Sequence, residues 1–553
     1  MLQGGSAKRN LRGAASPEIN KFVEESDWNH KFLKDYQKLT LNYFLSDYCK
    51  TRDMLLIWFA VGRGKTLMAL ACAIAGLRSS MFKRVIILSP KTIQDEFYRN
   101  LRSYFHFEGN SKEYEKYVPF FTMIPYNAWN SYEQFQLIKP LENSLFIIDE
   151  AHLFMKSIIK TNLLPEEINS ADKQFTGNAK KIYDRILKLK HKKVLCLTGT
   201  PSAKNPFELV PIFNLAYNKP LFTENYEEFN EKYVKHNRDR ELIKKLDGLI
   251  SYVPAGNNGI VASPLEIVDV EMSFLQYRKY LKDYEQEKAE LGFTNKKNMY
   301  GVPFGVISSF HTKTFQDCIY VGSIEKPVIN EETAPKIMRM YKDTANMKRS
   351  CVFYFHFTDI HGCGAMELKL QKEGFHKVRS GEEVFSSKAP RYVVFSGDVP
   401  DKVRNWYKYV FNDKRNMYGE YIKYMILSSS GIVGITLHNV GYLGIGSVEF
   451  NYSAIRQIMG RANRLNSHKN LPEKDRTLVN KLYIMTKNMK YYAANKKEVE
   501  RISDRTTYSC DEVCPTIERI IYHDALYDDI INENFKQNVL IPASITEKIY
   551  KRF

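Results

Sequence analysis

The residues that follow the apolar run 54–59 have types and spacing suited to a triphosphate: they are Gly62, Arg63, Gly64, Lys65 and Thr66. Glycines allow backbone N–H groups to close around phosphates, a lysine ammonium neutralises their charge, and a threonine hydroxyl can ligate magnesium. The apolar run predicts a buried strand, and residues 67–75 predict a buried helix. This order predicts a site for a nucleoside triphosphate and Mg²⁺.

Two adjacent carboxylates follow a second apolar run. Residues 145–148 lead directly to Asp149 and Glu150. A carboxylate at the tip of a strand can hold hydrated magnesium against phosphates, and its neighbour can orient and deprotonate the attacking water. We therefore assign Asp149 to nucleotide and magnesium binding together with Thr66, and Glu150 to catalysis.

Two further apolar runs, 85–88 and 194–197, each preceded by one basic residue, end in polar segments. Ligands of parallel sheets bind at the carboxyl ends of the strands, so these segments predict contacts with a nucleic-acid backbone. The residues concerned are Ser89, Pro90, Lys91, Thr198 and Thr200. The alternative for the first segment is that its proline only turns the chain.

A second series of strands is predicted at 349–357, 392–397, 424–430 and 431–437, and it is followed by Gln457, Arg461 and Arg464. The spacing places both arginines on one helical face, with Gln457 one turn before Arg461. Two guanidiniums without an acidic neighbour imply an external anion, and a γ-phosphate bound by the first series fits as the target of an arginine finger. A basic face on nucleic acid is the alternative.

Composition narrows the class of partner. The 553 residues include 81 Lys and Arg against 63 Asp and Glu, a formal net charge of +18. This surplus favours nucleic acid as a partner, and a basic solvated surface is the alternative. Eight scattered cysteines suit a reducing compartment. No apolar run reaches about 18 residues, so we expect no membrane partner.

Strands that alternate with helices in two series predict an α/β fold with two parallel-sheet domains in tandem and a largely helical insertion between them. The composition shifts predict a disordered arm at 1–17, a first domain at 18–224, the insertion at 225–345, a second domain at 346–500 and a helical C-terminal tail at 501–553.

In this order, the motifs resemble those of superfamily 2 helicases. Gln37 matches the glutamine with which that family reads adenine, Asp149 to His152 matches a DEAH box, and Gly434 and Thr436 lie in motif V. The resemblance implies two RecA-like domains that bind ATP and Mg²⁺. It also implies that Gly434 contacts the nucleotide and Thr436 the nucleic acid.

The segments between the two halves, which include Gln276 and Tyr280, are similar to the Swi/Snf-type branch. Gly460 to Arg464 resembles the large-DNA-virus set that includes poxvirus-type nucleoside triphosphatase I and the early transcription factor small subunit. These similarities imply a DNA-dependent ATPase and translocase in viral transcription, with RNA polymerase or other transcription factor subunits as partners. They imply DNA more than RNA, and a location in the virion and host cytoplasm for a viral protein; a protein from another source is expected inside the cell.

Two other functions stay open. One is a strand-separating DNA or RNA helicase, against which the connecting segments favour the DNA-translocating branch. The other is an ATP-sensitive scaffold subunit of a transcription complex, against which the intact Lys65, Glu150 and Arg461 argue.

Overall fold

The computed structural model describes residues 32–60, 62–90, 94–163, 170–202, 205–236, 238–254, 260–290, 312–429, 431, 435–464, 466–503 and 513–550. The chain forms two compact units. Unit 1 comprises Met1–Pro201, Pro206–Pro254 and Asn534–Phe553, and unit 2 comprises Ser202–Asn205 and Ala255–Glu533. Each unit is built on one parallel sheet, so the predicted α/β class with two parallel-sheet domains is confirmed.

Unit 1 has six parallel strands in the order β3-β2-β4-β5-β1-β6. They are β1 (Met54–Phe59), β2 (Arg84–Ser89), β3 (Phe121–Pro125), β4 (Ser144–Asp149), β5 (Lys192–Thr198) and β6 (Ile250–Val253). The four strands predicted from apolar runs are the four central ones, β1, β2, β4 and β5. Because central strands of a parallel sheet are covered on both faces, their sequences are continuously apolar.

Unit 2 has seven parallel strands in the order β7-β13-β12-β8-β11-β10-β9. They are β7 (Val261–Glu271), β8 (Cys351–Phe355), β9 (His376–Lys377), β10 (Arg391–Phe395), β11 (Tyr424–Ser428), β12 (Tyr442–Ile445) and β13 (Thr477–Thr486).

The helices cover and connect these strands. The first part of unit 1 has α1 (Asp35–Leu45), α2 (Asp47–Lys50), α3 (Lys65–Arg78), α4 (Gln94–Phe107), α5 (Tyr114–Tyr117), α6 (Ser131–Leu137), α7 (Ala151–Leu163), α8 (Ser170–Leu187), α9 (Val210–Asn214), α10 (Tyr226–Phe229) and α11 (Asp239–Lys245). Unit 2 has α12 (Phe274–Glu290), α13 (Thr312–Asp317), α14 (Pro335–Thr344), α15 (Cys363–Lys372), α16 (Asp401–Asn412), α17 (Tyr452–Ala462), α18 (Met489–Ala494), α19 (Lys496–Ile502) and α20 (Ile517–Phe535). The chain ends in unit 1 with α21 (Ile541–Ala543) and α22 (Ile545–Tyr550). Within the described ranges, no helix has the length and apolar character needed to cross a membrane.

The division into units differs from the boundaries predicted from the sequence. The stretch 225–345 does not stand apart as an insertion, because β6 pairs with β1 of unit 1 and β7 pairs with β13 of unit 2. The end of the predicted tail, from Asn534 onward, belongs to unit 1. There, Thr546 Oγ1 accepts a 2.7 Å hydrogen bond from the backbone N of Tyr252, which lies in β6. These long-range pairings leave no signature in composition.

One of the predicted strands of unit 2 is not a strand in its described residues. The described residues 435–437 of the predicted strand 431–437 are not in a strand, and the sheet uses β12 instead. The backbone N of Leu437 donates to the carbonyl O of Arg461 at 2.9 Å. Its donor is therefore used by the end of α17 and not by a neighbouring strand.

A fully buried ion pair ties the core of unit 2 together. Lys336 Nζ on α14 lies 2.5 Å from Glu518 Oε1 on α20, and both side chains are 0% exposed. Lys336 also donates to the carbonyl O of Gly446 at 2.9 Å, and Glu518 Oε2 accepts from the backbone N of Met485 at 2.8 Å. Such a pair is tolerated only when hydrogen bonds complete its geometry, so one partner cannot be removed alone.

Lys336→Met should lower the free energy of unfolding by about 3–5 kcal/mol, because it leaves a buried carboxylate without its counter-ion. The double variant Lys336→Met/Glu518→Gln should recover part of this loss, since glutamine is neutral and its amide oxygen can still accept from Met485. Urea unfolding followed by circular dichroism compares the two variants with the wild type. An equal loss in the single and double variants would contradict the assignment.

Candidate active site

The glycine loop after β1 depends on two residues with positive φ. Gly62 has φ 78° and Gly64 has φ 74°, and Gly64 is the N-cap of α3, which begins at Lys65. L-residues with a side chain rarely adopt this region. A Cβ on Gly64 would also lie 2.7 Å from Gln37 Nε2. The backbone therefore turns from strand to helix in the way that the sequence pattern predicts.

Gln37 packs against this loop. Its side chain is 3% exposed; Nε2 donates to the carbonyl O of Gly64 at 3.4 Å, and Oε1 accepts from the backbone N of Lys34 at 2.9 Å. The neighbouring Tyr36 hydroxyl donates to the carbonyl O of Arg63 at 3.2 Å. The structure thus brings the predicted adenine-reading glutamine to the glycine loop, and Tyr36 is a second loop contact that the sequence prediction missed.

Lys65 opens α3, and its ammonium is turned toward the end of β1. Its Nζ donates to the carbonyl O of Phe59 at 3.2 Å. Thr66 follows in the first turn of the same helix and is partly exposed. The cation and the hydroxyl therefore both lie at the N-terminus of α3, where the helix dipole also favours an anion.

The two carboxylates differ in environment. Asp149, the last residue of β4, is 5% exposed, and its Oδ1 accepts from the backbone N of Glu150 at 3.0 Å. Glu150 has φ 49°, a left-handed conformation that costs about 1–2 kcal/mol for a residue with a Cβ, and its side chain is 34% exposed. Strain of this kind clusters at functional sites. The turn leaves the Asp149 carboxylate buried at the end of β4 and the Glu150 carboxylate accessible to solvent.

His152 connects these carboxylates to β5. Its Nδ1 lies 3.0 Å from Thr198 Oγ1 and 3.4 Å from Glu150 Oε2. The Thr198 hydroxyl donates to the carbonyl O of Thr200 at 3.0 Å, so the proton between His152 and Thr198 belongs to Nδ1. The threonine oxygen also accepts from the backbone N of Thr200 at 3.0 Å. The segments after β4 and β5 are thereby locked to each other.

Burial lowers the pKa of His152, and the carboxylate of Glu150 opposes this shift only in part. Positive charge on Lys65 contributes to the lowering. His152 is therefore a neutral hydrogen-bond donor at neutral pH, and Lys65 lies within electrostatic range of it. The glycine loop and the carboxylate pair thus meet at one edge of the sheet.

Most of the described residues of unit 1 that were predicted to contact nucleic acid are buried. Ser89 is 1% exposed, Thr198 is 0% exposed, and Pro90 is buried. Thr200 is half-buried, and Lys91 lies outside the described residues. The hydroxyls of Ser89 and Thr198 face the interior, so the structure does not present them to a phosphate backbone.

In unit 2, Gln457 and Arg461 lie four residues apart on α17 and share one face. Arg464 does not share it, which corrects the prediction: α17 ends at Ala462, and Arg464 lies beyond the C-cap. Its Nη1 donates to Thr436 Oγ1. The structure therefore joins Arg464 to Thr436, while Gly434 lies outside the described residues.

Gly62→Ala and Gly64→Ala form a matched pair of variants. Each should lose about 1–2 kcal/mol of stability for a left-handed alanine, and Gly64→Ala should lose more, because only its Cβ meets Gln37. Unfolding by urea without nucleotide measures both. Adding Gln37→Ala to Gly64→Ala should restore the extra loss; equal losses in the two single variants would contradict the contact.

The sequence and structure have relatives among known proteins. Residues 30–203 match the family described as "Type III restriction enzyme, res subunit". The chain is 28% identical over 513 residues to the "Termination factor NPH-I homolog" of African swine fever virus. This match covers 79% of this chain and 70% of that protein. It is 25% identical over 532 residues to "Nucleoside triphosphatase I" of Choristoneura fumiferana entomopoxvirus, covering 85% of this chain and 75% of the relative.

Among solved structures, the chain is similar to the Sulfolobus solfataricus SWI2/SNF2 ATPase core in complex with dsDNA. The identity is 15%, the match covers 92% of this chain and 97% of that one, and the TM-score is 0.33. By sequence, this chain is therefore similar to that family over residues 30–203 and, at 25–28% identity, to the viral NPH-I homolog and nucleoside triphosphatase I.

Proposed function

We propose that this protein is an ATP-hydrolysing nucleic-acid motor, a DNA-dependent ATPase and translocase that acts in viral transcription. The observation that carries the proposal is the convergence at one sheet edge of a lysine-bearing glycine loop, an accessible carboxylate and a histidine that bonds to the next strand. Lys65 follows β1, and Glu150 and His152 follow β4. Thr198 is the last residue of β5, which lies between β1 and β4 in the sheet.

Each of these residues has a role in hydrolysis. The backbone of the glycine loop and Lys65 hold the phosphates and neutralise their charge. Glu150 takes the proton from the attacking water, for which its exposed carboxylate is suited. The His152 ring lies beside that carboxylate, with Nδ1 3.4 Å from Glu150 Oε2, and it donates to Thr198, so a change at the end of β5 reaches the neighbourhood of the catalytic base.

Thr66 and Asp149 are suited to hold Mg²⁺. Both offer hard oxygen ligands, and magnesium beside a triphosphate takes only one or two protein ligands, because phosphate oxygens and water supply the others. This agrees with the described residues, where no group of three or more His, Cys, Asp and Glu side chains gathers as a metal site. The ion would shield the charge of the phosphates.

Unit 2 contributes anion-binding chemistry. We assign Gln457, Arg461 and Arg464 to catalysis, because guanidiniums stabilise the charge that develops on a transferred phosphoryl group. The hydrogen bond from Arg464 to Thr436 couples this group to a residue assigned to nucleic acid. Phosphate chemistry and nucleic-acid binding would then share one segment of unit 2.

The net charge of +18 suits a DNA backbone, and the names of the viral relatives suit a role in transcription. A strand-separating enzyme needs a projecting wedge. In the described residues 435–464, the structure has a single strand, β12, and no hairpin. The lack of a hairpin in this segment favours movement along intact duplex DNA. The role in transcription suggests RNA polymerase or other transcription factor subunits as partners.

The active site is tested by two variants that separate binding from chemistry. Lys65→Ala should abolish hydrolysis because it removes the cation that neutralises the phosphates. Glu150→Gln should bind ATP normally but turn over about 10²–10⁴-fold more slowly, since only proton transfer is lost. Steady-state ATPase rates and nucleotide-binding titrations measure both effects. Near-normal turnover in Lys65→Ala would overturn the proposed site.

The kind of motor is tested with defined nucleic acids. Duplex DNA should stimulate the ATPase more than single-stranded DNA or RNA, and the stimulation should fall steeply with salt, because phosphate contacts release counter-ions. A triplex-forming strand should be displaced in an ATP-dependent manner, while a tailed duplex should stay paired. Efficient unwinding of the tailed duplex would instead identify a strand-separating helicase.

A further inference from the structure

Tyr126 packs against the helix that follows the carboxylate pair, although nothing in the sequence pattern selects it. It follows β3, and its backbone N donates to the carbonyl O of Ser89 at the end of β2 at 3.2 Å. Its ring packs edge-on against Phe154 of α7, with the centroids 5.2 Å apart and the ring planes at 61°. Phe154 lies one helical turn after Glu150. The ring of Tyr126 is thus fixed against the helix that starts from the catalytic carboxylate.

The hydroxyl of Tyr126 has no structural use in this position. The residue is 5% exposed, its oxygen is buried, and this oxygen makes no hydrogen bond to any described residue. A buried hydroxyl without a partner is destabilising, and native proteins rarely keep one. Phenylalanine would give the same ring packing without this penalty. The hydroxyl therefore needs a partner other than the described residues.

The nearby charges indicate what that partner is. Burial raises the pKa of Tyr126, and the negative charges of Glu150 and then Asp149 raise it further. The phenol therefore keeps its proton at neutral pH, and both carboxylates lie within electrostatic range of it. A protonated phenol is a donor, and an ionised carboxylate can only accept.

We propose that Tyr126 is a positioning residue for Glu150: with nucleotide bound, its phenolic O–H donates a hydrogen bond to Glu150 Oε1, directly or through one bound water. His152 Nδ1 already faces the other oxygen, Oε2, at 3.4 Å. The hydrogen bond from the phenol fixes the orientation of the carboxylate beside the His152 ring, so that a lone pair points at the attacking water. This inference rests on the proposed role of Glu150 as the general base.

Tyr126→Phe tests the inference because it removes only the hydroxyl. Turnover should fall about 10–100-fold, the range seen when a hydrogen-bonding partner that orients a metal-ligating side chain is lost, while KM for ATP stays within about twofold. The melting temperature should be unchanged or higher, because an unsatisfied buried hydroxyl is removed. A variant that is more stable yet slower is the signature of a hydroxyl kept for catalysis.

Tyr183→Phe is the matched control. Tyr183 is also a buried tyrosine of unit 1, but its hydroxyl donates to the carbonyl O of Pro211 at 3.1 Å. Removing that hydroxyl should lower the melting temperature and leave turnover unchanged. Tyr126→Phe should therefore lower turnover without loss of stability, whereas Tyr183→Phe should lower stability without loss of turnover.

The double variant Tyr126→Phe/Glu150→Gln shows whether the tyrosine acts through the glutamate. It should be no slower than Glu150→Gln alone, because residues that act as one unit are not additive. Additive losses, or unchanged turnover in Tyr126→Phe, would overturn the inference. If the wild-type protein does not hydrolyse ATP, or Glu150→Gln is as fast as the wild type, it is the proposed function that fails.

Discussion

Parallel pairing of every strand constrains both units more than any single contact. Neighbouring strands that run the same way need a crossover connection between them, so all the carboxyl ends of a sheet lie on one edge. In unit 1 this constraint gathers the residues after β1 and β4 and the last residue of β5. The hydrogen bond between His152 and Thr198 exists because β4 and β5 are neighbours in the sheet although they are distant in the chain.

Two kinds of buried polar group occur in the structure, those with hydrogen-bond partners and those without. In unit 2, Lys336 and Glu518 are fully buried, and each of them has further hydrogen bonds that compensate for the loss of water. In unit 1, the Tyr126 hydroxyl is buried without a described partner, and Glu150 has a left-handed backbone. Satisfied burial specifies a core, whereas an unsatisfied group beside a strained residue is typical of a site that awaits its substrate.

Apolar runs were a good guide to the centre of each sheet and a poor one to its edges. Strand β7 at the edge of unit 2 alternates exposed and partly buried residues over most of its length, so it carries charged side chains such as Glu266 and Glu271. A strand that is solvated on one side lacks the continuous apolar run that marks β1 or β4. The region 225–345 was therefore predicted to be largely helical, although two strands of different sheets lie within it.

The sequence by itself determined the glycine loop, the carboxylate pair, the shared helical face of Gln457 and Arg461 and the α/β class, because these depend on residue type, short spacing and the burial of single strands. Tertiary structure alone decided the burial of Ser89, the contact of Gln37 with Gly64, the position of Arg464 beyond the end of α17 and the packing of Tyr126 against Phe154 of α7. Each of these depends on which distant segments pack together. Local spacing carries no information about such packing, since strand order and helix ends are set by long-range contacts.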